Sequence, residues 1–130
     1  MRVLILFLML VSVTLRVSCQ IQKFVSTEQV IVNVDFSQVH GYDKIYLTFN
    51  FDNKIVTMSN STKGSKFTFK MVSTYKETGT MIGTTLNILV TSTNAPAVKR
   101  FYFSPEDIPG FIWMENKDGK TTTFGGLSRL

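Results

Sequence analysis

Apolar and polar residues alternate with a period of two along most of this 130-residue chain. No 3.6-residue apolar period runs for ten residues after position 19. Such alternation is the mark of half-buried β-strands, because successive side chains point to opposite faces. Val30, Val32, Val34 and Phe36 fall on one side, opposed by Asn33 and Asp35. Ile45, Leu47, Phe49 and Phe51 repeat the pattern against Tyr46, Thr48 and Asn50. Phe67, Phe69 and Met71 alternate with Thr68 and Lys70, and Leu86, Ile88 and Val90 with Asn87 and Thr91. Phe101 and Phe103 flank Tyr102, and Phe111–Met114 reads as a shorter apolar strand. Ile55–Met58 is a natural partner for Leu47–Phe51, and Thr121–Phe124 fits a last edge strand. The mid-strand residues Phe49, Phe69 and Phe103 are expected to be buried.

The punctuation agrees with seven or eight strands. Asp52-Asn53 lies between two alternating segments as a tight hairpin. Asn60–Gly64 and Asn116–Gly119 are polar turns whose glycines tolerate positive φ. Proline marks loops at Asn94-Ala95-Pro96 and between Ser104-Pro105 and Pro109-Gly110, since it cannot donate to a central ladder. Ser104-Pro105-Glu106-Asp107 has the N-cap and N1 chemistry of one helical turn. Ser73–Thr85, with weak periodicity and two glycines, reads as a long exposed loop, with a strand edge around Met81-Ile82. The patternless Gly125–Leu130 reads as a fraying tail. Many short strands without long helices point to an all-β antiparallel β-sandwich, with a barrel as the rival.

Residues 1–19 stand apart. Arg2, the apolar run Val3–Val13 and the end at Cys19 follow the order of a secretory signal peptide, expected as a short helix cleaved before Gln20. The run is well short of the roughly 20 apolar residues that span a membrane, so stable membrane insertion is not expected. The expected organisation is thus a signal peptide at 1–19 and a single domain at 20–130, secreted into the extracellular space. Losing Arg2 and Arg16 with the leader takes two charges from the net +5 and leaves +3. The remaining basic residues are scattered apart from Lys99-Arg100, so the clustered charge of a nucleic-acid footprint is missing. Cys19 is the sole cysteine, so the domain forms no internal disulfide and relies on packing, to which ten of the chain's eleven phenylalanines contribute. Arg16, three residues before Cys19, also departs from a lipoprotein motif.

The catalytic inventory is thin. His40 is the sole histidine, which excludes multi-histidine zinc sites, and no G-x-S-x-G motif appears. His40-Gly41-Tyr42-Asp43 reads as a turn between strands rather than the seat of a base. Glu106-Asp107 and Glu115 with Asp118 are the nearest carboxylate groupings, but adjacent residues point apart and make no acid–base pair. Asp43, Asp52 and Asp118 fall in expected loops without the spacing of a calcium loop. No metal, cofactor or catalytic residue is therefore expected. Asn60-Ser61-Thr62 is a glycosylation sequon in an expected loop, marking the Met58–Gly64 end as solvent-facing.

What remains are aromatics on the outward side. Tyr46 and Tyr102 lie opposite the apolar sets of their strands, and Trp113 sits in a run apolar on both faces. Rings with one polar end, on a flat sheet, suit a sugar ring or a protein partner. The leading expectation is a non-enzymatic module that binds an extracellular protein or glycan through Tyr46, Tyr102 and Trp113. A small apolar-ligand carrier is the first alternative, recognisable by a cavity of some 300 Å³ or more. A secreted hydrolase is the second.

Overall fold

The computed structural model describes residues 20–80, 83–92, 97–106 and 108–130. The expectations for the leader at 1–19, for Met81-Ile82, for Asn94-Ala95-Pro96 and for Asp107 lie outside the described residues. The described chain is all-β. Its strands are β1 (Ile21–Ser26), β2 (Glu28–Val32), β3 (Gln38–Gly41), β4 (Ile45–Asn50), β5 (Ile55–Asn60) and β6 (Ser65–Thr80). They continue with β7 (Gly83–Ser92), β8 (Val98–Phe103), β9 (Ile112–Asn116), β10 (Thr121–Gly125) and β11 (Ser128–Arg129). Eleven strands, rather than seven or eight, form one antiparallel sheet in the order β11-β1-β4-β5-β6-β7-β8-β9-β10-β2-β3.

Ring contacts show how this sheet makes a core. The Phe49 ring of β4 lies 5.7 Å from Phe101 and 5.0 Å from Phe103 of β8. Three strands separate β4 from β8 in the ladder, so the sheet folds back and its inner face meets itself. Phe24 reaches Phe103 at 6.3 Å, and Phe69 reaches Phe101 at 5.4 Å, both edge-on. Such edge-to-face pairs add roughly 0.5–1.5 kcal/mol each beyond the area they bury. The bend falls within β6. Its register with β7 shifts between Met71 and Ser73, just where its pairing with β5 ends at Lys70. A bulge there increases the local twist and re-aims the strand.

The opposite corner is made by two bent strands. β2 continues β1 after Thr27, and β11 continues β10 after Gly126-Leu127. The two run antiparallel on both sides of the corner, with Val25 opposite Ser128 and Gly125 opposite Glu28. Ser26 Oγ donates to the Gly125 carbonyl at 2.8 Å, and the Thr27 amide reaches the same oxygen at 3.3 Å.

Several expectations hold. Phe49, Phe69 and Phe103 are buried, and Asn50 pairs with Ile55 across the Asp52-Asn53 hairpin. Gly64 and Gly119 do adopt positive φ in their turns. Others are corrected. Ser73–Thr85 is not a loop: β6 and β7 extend into it, and residues 72–79 are exposed on both faces, which erases the hydropathic period. The tail is pinned rather than frayed, by β11 and by the Leu130 amide donating to the Lys23 carbonyl at 3.0 Å. Thr121–Phe124 lies between β9 and β2, so β3 and β11 are the edges. The described residues of the expected helical turn, Ser104–Glu106, are not helical, and Glu106 forms a bend. In β2 the parity is reversed. Gln29 is buried, while Val34 and Phe36 are 65% and 85% exposed. Phe36 falls in a turn after β2, at φ 65°.

Candidate functional site

The aromatic residues singled out from sequence do not share a surface. Tyr102 and Trp113 are register partners on β8 and β9, and their rings stack 5.4 Å apart at 14°. Both are half-buried on the outer face, since Phe101, Phe103, Ile112 and Met114 take the inner one. Tyr46 stands on the outer face of β4, opposite in parity to Phe49. Because Phe49 meets Phe101 across the core, the outer faces of β4 and β8 point away from each other. Tyr46 therefore lies on the far side of the molecule from Tyr102, beneath the Lys44 ammonium at 5.6 Å.

The Tyr102–Trp113 pair belongs to a polar cluster. The Arg100 guanidinium lies 4.5 Å from the Tyr102 ring centre and donates to Asn87 Oδ1 at 2.7 Å. Its Nε donates to Glu115, and Lys99 approaches the same carboxylate at 3.7 Å. Burial disfavours the arginine's charge, but Glu115's hydrogen bond and charge outweigh it and raise the Arg100 pKa. Burial also pushes the Tyr102 phenol up. Asn87 is nearly sealed, at 1% exposure. Tyr102 thus spends one ring face on Trp113 and meets Arg100 as well, which is packing rather than a bare platform. Only Phe111, beside Trp113 at 5.9 Å, remains half exposed.

A second site was missed from sequence. Between the β4–β5 hairpin and the β9–β10–β2–β3 part of the sheet lies a cleft of about 430 Å³. Met58, Met114, Phe124 and Ile45 form its apolar floor, and Ile31 and Val39 its outer wall. Ile31 faces this space because β2 carries Gln29 inward, opposite Phe124, with Thr122 opposite Ile31. Gln29 is held by the backbone of Asp43: its Nε2 donates to the Asp43 carbonyl at 2.8 Å and its Oε1 accepts the Asp43 amide at 3.0 Å. That pairing ties the β3–β4 connection over one end of the cleft. Two hollows of similar size, one at Gln20–Thr74 and one at Asn33–Lys120, lack this buried floor: most of their lining residues are exposed.

The mouth is polar and internally satisfied. Asn60 Nδ2 donates to Asp43 Oδ2 at 2.9 Å, and Lys63 Nζ lies 3.5 Å from the same oxygen. The Asn60 hydrogen bond, with a smaller contribution from Lys63, holds the Asp43 carboxyl below its ordinary range. Asn60, the sequon residue, therefore closes β5 half-buried at the cleft, and the Met58–Gly64 end is not uniformly solvent-facing. His40 lies in β3, paired with Val30, and not in a turn. Among the described residues, no three of His, Cys, Asp and Glu gather as metal ligands. The chain matches no protein-family model and no curated protein.

Proposed function

We propose that this chain is a secreted, non-enzymatic binding protein, a folded-over sheet of sandwich or flattened-barrel form that carries a small apolar ligand in its cleft. The observation that carries this reading is the cleft of about 430 Å³, floored by buried methionine and phenylalanine side chains. Concave, mostly apolar hollows of some 300–1,000 Å³ with a few placed polar groups are the usual form of small-molecule sites. Methionine adds an adaptable, polarisable wall. The leader at 1–19, with cleavage before Gln20, supports export of the domain. A protein or glycan partner at the outer Phe111–Trp113–Tyr102 cluster is the second reading, supported by the half-exposed Phe111 ring.

Displacement of an environment-sensitive naphthylamine dye from residues 20–130 tests the cleft. Ile31 is 37% exposed on its wall, so Ile31→Trp should fill the space with little effect on folding. Wild-type protein is expected to bind the dye and lose it to apolar competitors, whereas I31W should bind at least tenfold more weakly while melting normally. Equal binding by the two proteins would place the ligand elsewhere, and Phe111→Ser would then be the variant to examine for partner capture.

A further inference from the structure

Most polar side chains around the cleft are already committed. Gln29 spends its amide on the Asp43 backbone and on Ser26 Oγ. Asn60 donates to Asp43 and accepts the Lys63 amide at 3.0 Å. Lys63 and Asp43 neutralise one another at the mouth. His40 also lines the cleft, as an exposed residue of the edge strand β3 opposite Val30. Thr122 differs from all of these. It is only 8% exposed, it lines the cleft between Met114 and Ile31 in the ladder, and its hydroxyl has no hydrogen-bond partner among the described residues. Its oxygen is open to solvent in the cleft, and a ligand that displaces this water must replace its hydrogen bond or leave the hydroxyl unpaired at a cost. A hydroxyl can both donate and accept.

Resting on the reading of this cleft as a ligand site, we propose that its ligand is a neutral, mostly hydrocarbon molecule with a single oxygen function, an alcohol, ketone or ester, that hydrogen-bonds to the Thr122 hydroxyl. The apolar floor receives the hydrocarbon. Thr122 offers one neutral partner, which matches one oxygen. A carboxylate fits poorly, because a buried ion needs a counter-charge and hydrogen bonds. The cation at this mouth is shared with Asp43, whose negative charge would face the incoming anion. A ligand amine fares no better, since Asp43 is already engaged by Asn60 and Lys63.

The test is dye competition at pH 7 with dodecane, 1-dodecanol and dodecanoate, which share one chain and differ at one end. Wild type, Thr122→Val and Thr122→Ser are compared. Dodecanol is expected to be the strongest competitor for wild type. T122V, close in shape but without the hydroxyl, should weaken dodecanol by about 3- to 10-fold, as one neutral hydrogen bond allows. The same variant should leave dodecane unchanged, and T122S should recover dodecanol. Preference for dodecanoate, equal binding of dodecane and dodecanol, or indifference of dodecanol to T122V would overturn the proposal while leaving the cleft a ligand site. If none of the three competes and I31W binds dye as wild type does, the cleft reading fails and takes this proposal with it.

Discussion

Gly126 shows how much of this fold rests on single positions. It sits at the corner between β10 and β11 with φ +58°, and a Cβ there would fall against Thr27 Oγ1 well inside contact distance. Both constraints act against any other residue, since positive φ already costs a side-chain-bearing residue about 1–2 kcal/mol. Gly126→Ala should therefore destabilise by about 1–3 kcal/mol in urea melts. Gly110, with open space around its Cα and no positive φ, is the matched control and should tolerate alanine almost without loss. Equal melting of the two variants would mean that the corner relaxes freely. Gln29 makes a related point by parity rather than space. Its two hydrogen bonds to Asp43 draw it inward and turn Val30 to the other side of β2, although hydrophobicity alone favours the reverse.

At the scale of elements, the strands whose two faces differ in polarity are the ones legible in the sequence. Ile45, Leu47 and Phe49 of β4, Phe101 and Phe103 of β8, and Ile112 and Met114 of β9 all point inward as their alternation requires. Phe49 is the most connected of these, with ring contacts to Phe24, Phe101 and Phe103. Phe49→Ala should cost roughly 3–5 kcal/mol, because three ring neighbours held on two separate strands, β1 and β8, cannot all collapse into the space. A loss below about 1 kcal/mol would show that the sheet does not close over this ring. The far ends of β6 and β7 were illegible because residues 72–79 are exposed on both faces, which leaves hydropathy nothing to alternate. The parity of β2 was illegible because backbone groups fourteen residues away decide it. The pairing of Tyr102 with Trp113 could be drawn from strand order, but Tyr46 could not be assigned a side until the fold-back of the sheet was known. The cleft left no trace in local sequence, since its floor comes from β4, β5, β9 and β10 and reads there as ordinary core.

At the scale of the whole molecule, the same corner that joins the two halves of the sheet also shapes the cleft. Ser26 and Gln29 connect Gly125 on one side to Asp43 on the other, and Asp43 in turn holds Asn60 and Lys63 at the mouth. The end of β11 braces this arrangement from outside. Leu127 packs on the core, Ser128 and Arg129 pair with β1, and the Arg129 guanidinium lies 5.7 Å from the centre of the Phe24 ring. Deleting Leu127–Leu130 removes a half-buried leucine, worth about 1 kcal/mol at half the usual burial, and ladder hydrogen bonds worth roughly 0.5–1.5 kcal/mol each. The shortened protein should therefore lose about 2–4 kcal/mol of stability. The loss should also be directional. Amide exchange should rise first at Phe24 and Val25, which lose their outer partners, and dye affinity should fall as the Gln29–Asp43 brace loosens. Amides of β6–β8 should change least, because the ladder pairing of β11 is with β1. Unchanged melting and unchanged exchange at Val25 would mean that β11 is an ornament on an edge, and that the phenylalanine core and the Ser26–Gly125 corner hold the two halves of the sheet together without it.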